Sequence, residues 1–479
     1  TEIYTLSLHD ALPISLTWMS YAADWYGSGQ IPARAVCGEG EEGLAPPSAY
    51  GARCLDRFGS VDDAEGGATQ RHMGRVALEH RFEDTEVRAM VYALAYRYEL
   101  YSNFTFFAND PVRGDGILQT DDRLQTGADV SASHRFTLGA SSFALRGGVQ
   151  VRYDAIENGL SNQTARERLE PRVAADIDES AIGVYAEADA RLTRWLRWVL
   201  GARVDRMDVA VIDRLEDTTD VGTRTSGSAG ALLFSPKASV VVSPLQEWSL
   251  FAGAGHGFHS NDARGAVRGT DAADLMSVAR TYEAGTRVEP VEGLALSAAG
   301  FLIDLESETV WVGDEGTTEP SGATRRVGLE AQVRFDYDDW FFVDVAGTLS
   351  SARFVNEAPG NDAVALAPTH TLVAGLGLRP KVGDFTPFGG ASFRGMLDRP
   401  ATEDGSLTAD GFATVDLEAG LRWQFLEGAV DVQNLFDVDY REVNFATESR
   451  LAYEPAPVTG IHYTPGWPLT VMGRVRAYF

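Results

Sequence analysis

The last eleven residues alternate without a break. Leu469, Val471, Gly473, Val475, Ala477 and Phe479 fall on one side, and Thr470, Met472, Arg474, Arg476 and Tyr478 on the other. A strand has a side-chain period of two, so this segment holds two arginines away from an apolar face. The pattern recurs upstream. Val415, Leu417, Ala419, Leu421 and Trp423 alternate with Asp416, Glu418, Gly420, Arg422 and Gln424, and Leu329, Ala331, Val333 and Phe335 with Glu330, Gln332, Arg334 and Asp336. Val184, Ala186 and Ala188 alternate with Tyr185, Glu187 and Asp189. Strands that are apolar on one face and carry charges of both signs on the other suit a wall between lipid and water. No window approaches 18 consecutive apolar residues, which excludes a membrane-crossing helix but leaves crossing by strands open.

The connections reinforce this reading. Short turns are predicted at residues 424–428, 379–385, 335–340, 289–294, 243–248, 193–198, 136–142 and 81–86, and long polar stretches at 439–469, 398–411, 353–370, 306–323, 258–280, 209–232, 154–180, 100–122 and 24–72. A strict short/long alternation over about 18 strands gives one rim of tight hairpins and one of long loops, as in an all-β transmembrane antiparallel barrel with short periplasmic turns and long extracellular loops. Trp195, Trp198, Trp248, Trp340, Phe341 and Phe342 stand at or beside the short turns, where an aromatic girdle meets the interface. No linker or low-complexity segment divides the chain. Its net charge of −28 repels phosphate backbones, so no nucleic-acid partner is expected.

Further motifs carry a resemblance. Val430 to Tyr440 (VDVQNLFDVDY), Tyr463 to Pro468 (YTPGWP) and the terminal strand stand in order after Phe234 to Ser239 (FSPKAS), Gly255 to Phe258 (GHGF), Tyr282 to Thr286 (YEAGT) and Gly322 to Glu330 (GATRRVGLE). Together they resemble TonB-dependent outer-membrane receptors, from about residue 15 to the end. The resemblance implies a Gram-negative outer-membrane barrel of about 22 strands around an N-terminal plug that carries the energy-coupling box, so that about four strands and the plug lie outside this chain. It implies active uptake of a scarce nutrient, a ferric siderophore or other iron complex foremost, with cobalamin or an oligosaccharide as alternatives. The implied partners are outer-membrane lipid, the TonB complex acting through the plug, the barrel assembly machinery reading Phe479, and the small nutrient complex itself. The domain expected is residues 15–479. Thr1 to Ile14 (TEIYTLSLHDALPI) resemble translated sequencing-adapter read-through, are expected to be an artefactual leader, and lack the basic start and apolar core of a signal peptide.

Ligand capture by loop and inner-wall aromatics and cations, as the resemblance implies, nominates Trp25, Tyr26, Phe104, Phe106, Phe107, Arg264, Arg268, Trp311, Tyr453, His462, Tyr463 and Trp467. Cys37 and Cys54 lie in the long loop 24–72, on an oxidising rim where a disulfide is expected, with free thiols or a metal pair as alternatives. No cofactor or resident metal is expected: His256 and His259 fall on opposite faces of a strand, and Asp314 with Glu315 or Asp271 with Asp274 read as solvated carboxylates. The chain is read as performing no bond chemistry. A passive porin-like channel is the rival, and a barrel hydrolase using His370 or His462 with a serine is a weaker one, since no GxSxG occurs.

Overall fold

Eight tight turns organise the wall. The computed structural model describes residues 2–8, 14–37, 54–215, 225–268, 272–312 and 317–478, with side chains over 14–37, 54–215, 225–268, 272–307 and 322–478. The wall strands are β1 (Glu2–Leu8), β2 (Ile14–Tyr26), β3 (Gly66–Phe82), β4 (Thr85–Ser102), β5 (Ile117–Leu138), β6 (Ser141–Thr164), β7 (Glu167–Arg191), β8 (Leu196–Asp213), β9 (Gly227–Leu245) and β10 (Trp248–Ser260). They continue with β11 (Met276–Val291), β12 (Leu294–Leu305), β13 (Thr324–Tyr337), β14 (Phe341–Phe354), β15 (His370–Leu378), β16 (Phe385–Met396), β17 (Phe412–Trp423), β18 (Leu426–Gln433) and β19 (Thr470–Ala477). Each is antiparallel to its neighbours in this series, giving one 19-stranded sheet. The turns after β3, β5, β7, β9, β11, β13, β15 and β17 are the eight predicted from sequence. Several are closed by residues with positive φ, among them Glu83, Gly139, Gly293, Gln424 and the pair Asp338 and Asp339.

One expectation is corrected. Residues 154–180 are not a loop: β6 and β7 run through them, closing on Ala165 and Arg166, both with positive φ. Likewise β8 reaches Asp213 and β9 begins at Gly227, inside the stretch 209–232. Beyond the lipid both faces meet water, so the ladder continues after the apolar/polar contrast has gone, and the contrast was the only signal the sequence offered. Part of the leader expected over residues 1–14 is extended. Its segment Glu2–Leu8 pairs with β2 from Glu2↔Ser20 to Leu8↔Ile14. The edge of β2 offers backbone groups that an extended segment can take.

The two faces are chemically distinct, as the alternation required. Leu417, Val432 and Val471 sit side by side on one face, with Val475 further along it 79% exposed. On the opposite face Arg474 pairs with Glu418 and approaches Asp431. On that inner face aromatic rings lie over glycines directly across the ladder. Among these pairs are Tyr92 with Gly127, Tyr185 with Gly148, Phe251 with Gly285, Phe301 with Gly328, Phe342 with Gly377 and Phe388 with Gly420. A Cβ on Gly377 would stand 2.1 Å from the Phe342 ring, so the glycine is what lets the ring lie flat.

Candidate functional site

The long-loop rim is built from segments far apart in sequence. Ile31–Pro32, Arg441–Ser449 and Val458–Pro465 form a three-stranded sheet outside the wall, with His462 opposite Pro32 and Tyr463 opposite Ile31. Its core has two parts. Ile31, Val36 and Tyr463 pack together, and Ala35, Phe106 and Leu451 form a second cluster joined by Phe107, Val61 and Tyr453. Cys37 and Cys54 are bonded, with Cα atoms 4.9 Å apart, and tie this body's N-terminal loop.

Buried polar groups fix the arrangement. Arg34 grips Glu454 through Nε and Nη2, at 2.8 and 3.0 Å, and its Nη2 also donates to the Ser449 carbonyl. Ser449 Oγ lies 2.9 Å from His462 Nε2, and the His462 ring stacks on Phe106. Burial holds His462 well below its usual range, at about 3, so the imidazole is neutral. This serine and histidine are both wholly buried, so the pair cannot meet a substrate as a hydrolytic dyad would. Arg166, at the β6–β7 turn, is a second staple. It donates to the carbonyls of Ala64, Trp25 and Glu65, and stacks 3.7 Å over the Tyr26 ring.

A second loop turns onto the inner wall. Residues Ala263–Ala266 form one helical turn, capped by Asp262, whose Ala263 and Ala266 pack with Leu275 and Met276 on Ile156, Ile177, Met207, Val209 and Val211. Arg264 clamps it: it is paired with Asp262 and donates to Asn158 Oδ1 at 3.0 Å. Lower down, the inner wall of β13 to β19 bounds a cavity of about 1040 Å³ lined by both signs of charge, including Arg334, Asp336, Asp416, Glu418, Asp431 and Arg474.

The nominated residues separate by burial. Phe106, Phe107, Tyr453, His462 and Tyr463 come together in the rim body, where Phe106, His462 and Tyr463 are at most 1% exposed. Tyr26 and Trp467 are exposed at 74% and 65%, and Arg268 is exposed too. Trp25, Phe104 and Arg264 are half-buried, Arg264 being committed to Asp262 and Asn158. Tyr26, Phe106 and Phe107 also border a rim cavity of about 470 Å³ with Arg113, Gln163 and Arg166. Sequence reasoning missed Gln163 and Arg166 because 154–180 read as an unpaired loop, and Arg113 because nothing set it apart within the stretch 100–122. The side chain of Trp311, Asp314, Glu315, Asp271 and Phe479 lie outside the described residues. Among the described residues no cluster of three or more His, Cys, Asp or Glu could hold a metal ion.

An antiparallel sheet of nineteen strands, apolar outside and charged inside, with tight turns at one rim and a folded loop body at the other, defines a transmembrane β-barrel wall. The family model described as TonB dependent receptor-like, beta-barrel matches residues 10–435, and the chain belongs to that family. Among solved structures it is similar to the ferric-catecholate import receptor Fiu of E. coli K12 in its closed form, with 17% identity, a TM-score of 0.75, and coverage of 99% of this chain and 73% of that one. It is also similar to the ferric yersiniabactin uptake receptor FyuA of Yersinia pestis (14%, TM-score 0.72, 98% and 68%) and to the ferric citrate transporter FecA in its unliganded form (16%, TM-score 0.70, 98% and 67%). At these identities the likeness is one of fold. No curated protein sequence matches the chain.

Proposed function

We propose that this chain is the barrel of an outer-membrane receptor for active uptake of a scarce nutrient complex, a ferric chelate foremost, with the plug and its TonB coupling supplied by residues outside residues 15–479. The observation that carries the reading is the rim body. Segments near both ends of the chain are folded together, tied by a disulfide and by the Arg34 to Glu454 pair, over an inner wall of mixed charge. A passive pore needs no such preorganised mouth, whereas capture of a dilute ligand gains affinity from one. The names of the similar structures, which refer to ferric catecholate, ferric yersiniabactin and ferric citrate, support iron complexes ahead of cobalamin or oligosaccharide. The proposed contacts are the exposed Tyr26, Arg268 and Trp467 and the half-buried Trp25 and Phe104.

The test is titration of the refolded chain with ferric catecholate, ferric hydroxamate, ferric citrate and cobalamin, read by tryptophan fluorescence. One ferric class should give saturable quenching that Trp467→Phe and Tyr26→Ala weaken about tenfold, the loss of one anchor contact of about 1.4 kcal/mol. Steady ion conductance in planar bilayers with no saturable quenching by any of the four would favour the passive channel.

A further inference from the structure

On the lipid-facing side of β10 to β14, one row of residues crosses five strands. His256 pairs with Arg280, Arg280 with Asp304, Asp304 with Arg325, and Arg325 with Arg353, so three arginines and a histidine stand in a line around a single aspartate. The outward direction follows from period two: Tyr282, Val327, Leu329 and Leu349, on the same faces as Arg280, Arg325 and Arg353, are about half exposed. Below the row the same faces carry Leu250, Ala252 and Ala254 on β10; Tyr282, Ala284, Thr286 and Val288 on β11; and Leu296, Ala298, Gly300 and Leu302 on β12. On β13 they carry Val327, Leu329, Ala331 and Val333, and on β14 Val345, Gly347, Leu349 and Ser351. None of these is charged.

The height of the row follows from strand geometry. Trp248 and Val288 pair beside the short turns, and His256 and Arg280 lie eight residues further along the same two strands. Eight residues span about 27 Å of strand, or about 20 Å along the membrane normal at a tilt of about 40°, against an apolar band about 25 Å tall. The row therefore caps the apolar band at its long-loop edge, where headgroups replace acyl chains. Neighbouring strands are about 4.8 Å apart, so Arg280, Arg325 and Arg353 lie within about 14 Å of one another.

Each guanidinium has an acidic neighbour: Arg280 meets Glu306 at 2.5 Å, Arg325 meets Asp304 at 2.6 Å, and Arg353 meets Asp362 at 2.9 Å. The arginine side chains are nonetheless 41%, 53% and 61% exposed. Exposed pairs of this kind are weak, and each arginine has five donors, more than one carboxylate can occupy. Elsewhere on the outer face Arg97 and Arg206 stand singly, each beside one aspartate, Asp122 or Asp208.

The geometry points to this row as a binding site for the phosphates of an outer-leaflet lipid headgroup, with Arg280, Arg325 and Arg353 as the donors and the uncharged strip beneath them receiving the acyl chains. Arginine presents parallel N–H groups that match phosphate oxygens two at a time, and its alkyl stem suits the edge of an apolar band.

The test uses the full chain refolded in detergent, with native mass spectrometry of bound diphosphoryl lipid A and of the same lipid after phosphatase treatment. The intact lipid should remain bound and the dephosphorylated form should be retained at least tenfold less. The triple variant Arg280→Gln, Arg325→Gln, Arg353→Gln should lose the preference, while Arg97→Gln with Arg206→Gln keeps it. Folding of each variant is followed by heat-modifiable migration, and the two-lipid comparison on the unaltered chain stands even if the triple variant does not fold. Equal retention of both lipids, equal preference in the triple variant, or displacement of the lipid by millimolar inorganic phosphate would overturn the proposal.

Discussion

Glu65 is a carboxylic acid in a place that suits a carboxylate badly. It is 3% exposed, its Oε1 accepts from the Asn103 backbone N–H at 3.0 Å, and its Oε2 has no hydrogen-bond partner. The side chain fits only because its neighbour is Gly29, at φ 58°, where a Cβ would fall 1.2 Å from Oε2. Burial, reinforced by the charge of Asp62, pushes its pKa up to about 9, so the group is neutral at ordinary pH. His462 is displaced the other way, to about 3, by burial and then by Arg34. The two give opposite slopes. The stability that neutral Glu65 contributes is complete below its unfolded value of 4.5 and drains away as pH rises toward about 9. That of neutral His462 is complete above 6.5 and is lost as pH falls toward about 3. The rim should therefore be best protected near pH 4.5 to 6.5, where the two slopes overlap and oppose. Hydrogen exchange over residues 54–65 and 434–465 reads this directly. Glu65→Gln should flatten the alkaline limb and leave the acid limb, and protection that does not change between pH 5 and pH 9 in the unaltered chain would show that Glu65 titrates normally.

At the scale of elements, the rim body depends on contacts that no local pattern announces. Ile31–Pro32 meets Val458–Pro465 across more than four hundred residues, and nothing around Pro32 distinguishes it from a surface loop. The disulfide closes a loop of 17 residues, which in the chain-entropy model adds about 3 kcal/mol to the body it ties. Cys37→Ser with Cys54→Ser should lower the rim's opening free energy by about that amount, seen as faster proteolysis in the 54–65 and 103–116 segments, while heat-modifiable migration of the wall stays the same. Equal proteolysis with and without the bond would place the rim's strength in Arg34 and Glu454 instead. What was legible follows a rule. The eight short turns and the membrane-level strands were readable because lipid on one side and water on the other impose a period of two that a single sequence displays. The upper ladders of β6 to β9 were not, since with water on both sides neither face is selected. Phe106 and Tyr463 stood out as loop aromatics, but composition cannot say whether a loop aromatic faces a ligand or the loop's own core.

For the molecule as a whole, orientation is the most exposed claim. A single cysteine at Asn361, in the connection between β14 and β15, should react with an impermeant maleimide on intact cells, and one at Asp338, in the tight turn after β13, should react only after the outer membrane is opened; the reverse pattern would invert the wall. Phe479 lies outside the described residues, and its proposed part is as a signal that assembly machinery reads. Its deletion from a full-length receptor should lower the folded, heat-modifiable fraction in outer membranes, and an unchanged fraction would remove that role. The rings lying over glycines have a consequence for how such a wall can change through descent. Phe342 and Gly377 are partners across β14 and β15, and a bulkier residue at 377 has nowhere to go while the ring remains. Neither position can drift alone at low cost, so each ring and its glycine are inherited as one character written at two places in the gene. Homologous chains should keep both or lose both, and these linked pairs, running from Tyr92 to Phe388, would let the strand register of a distant relative be recovered where its residues no longer resemble these.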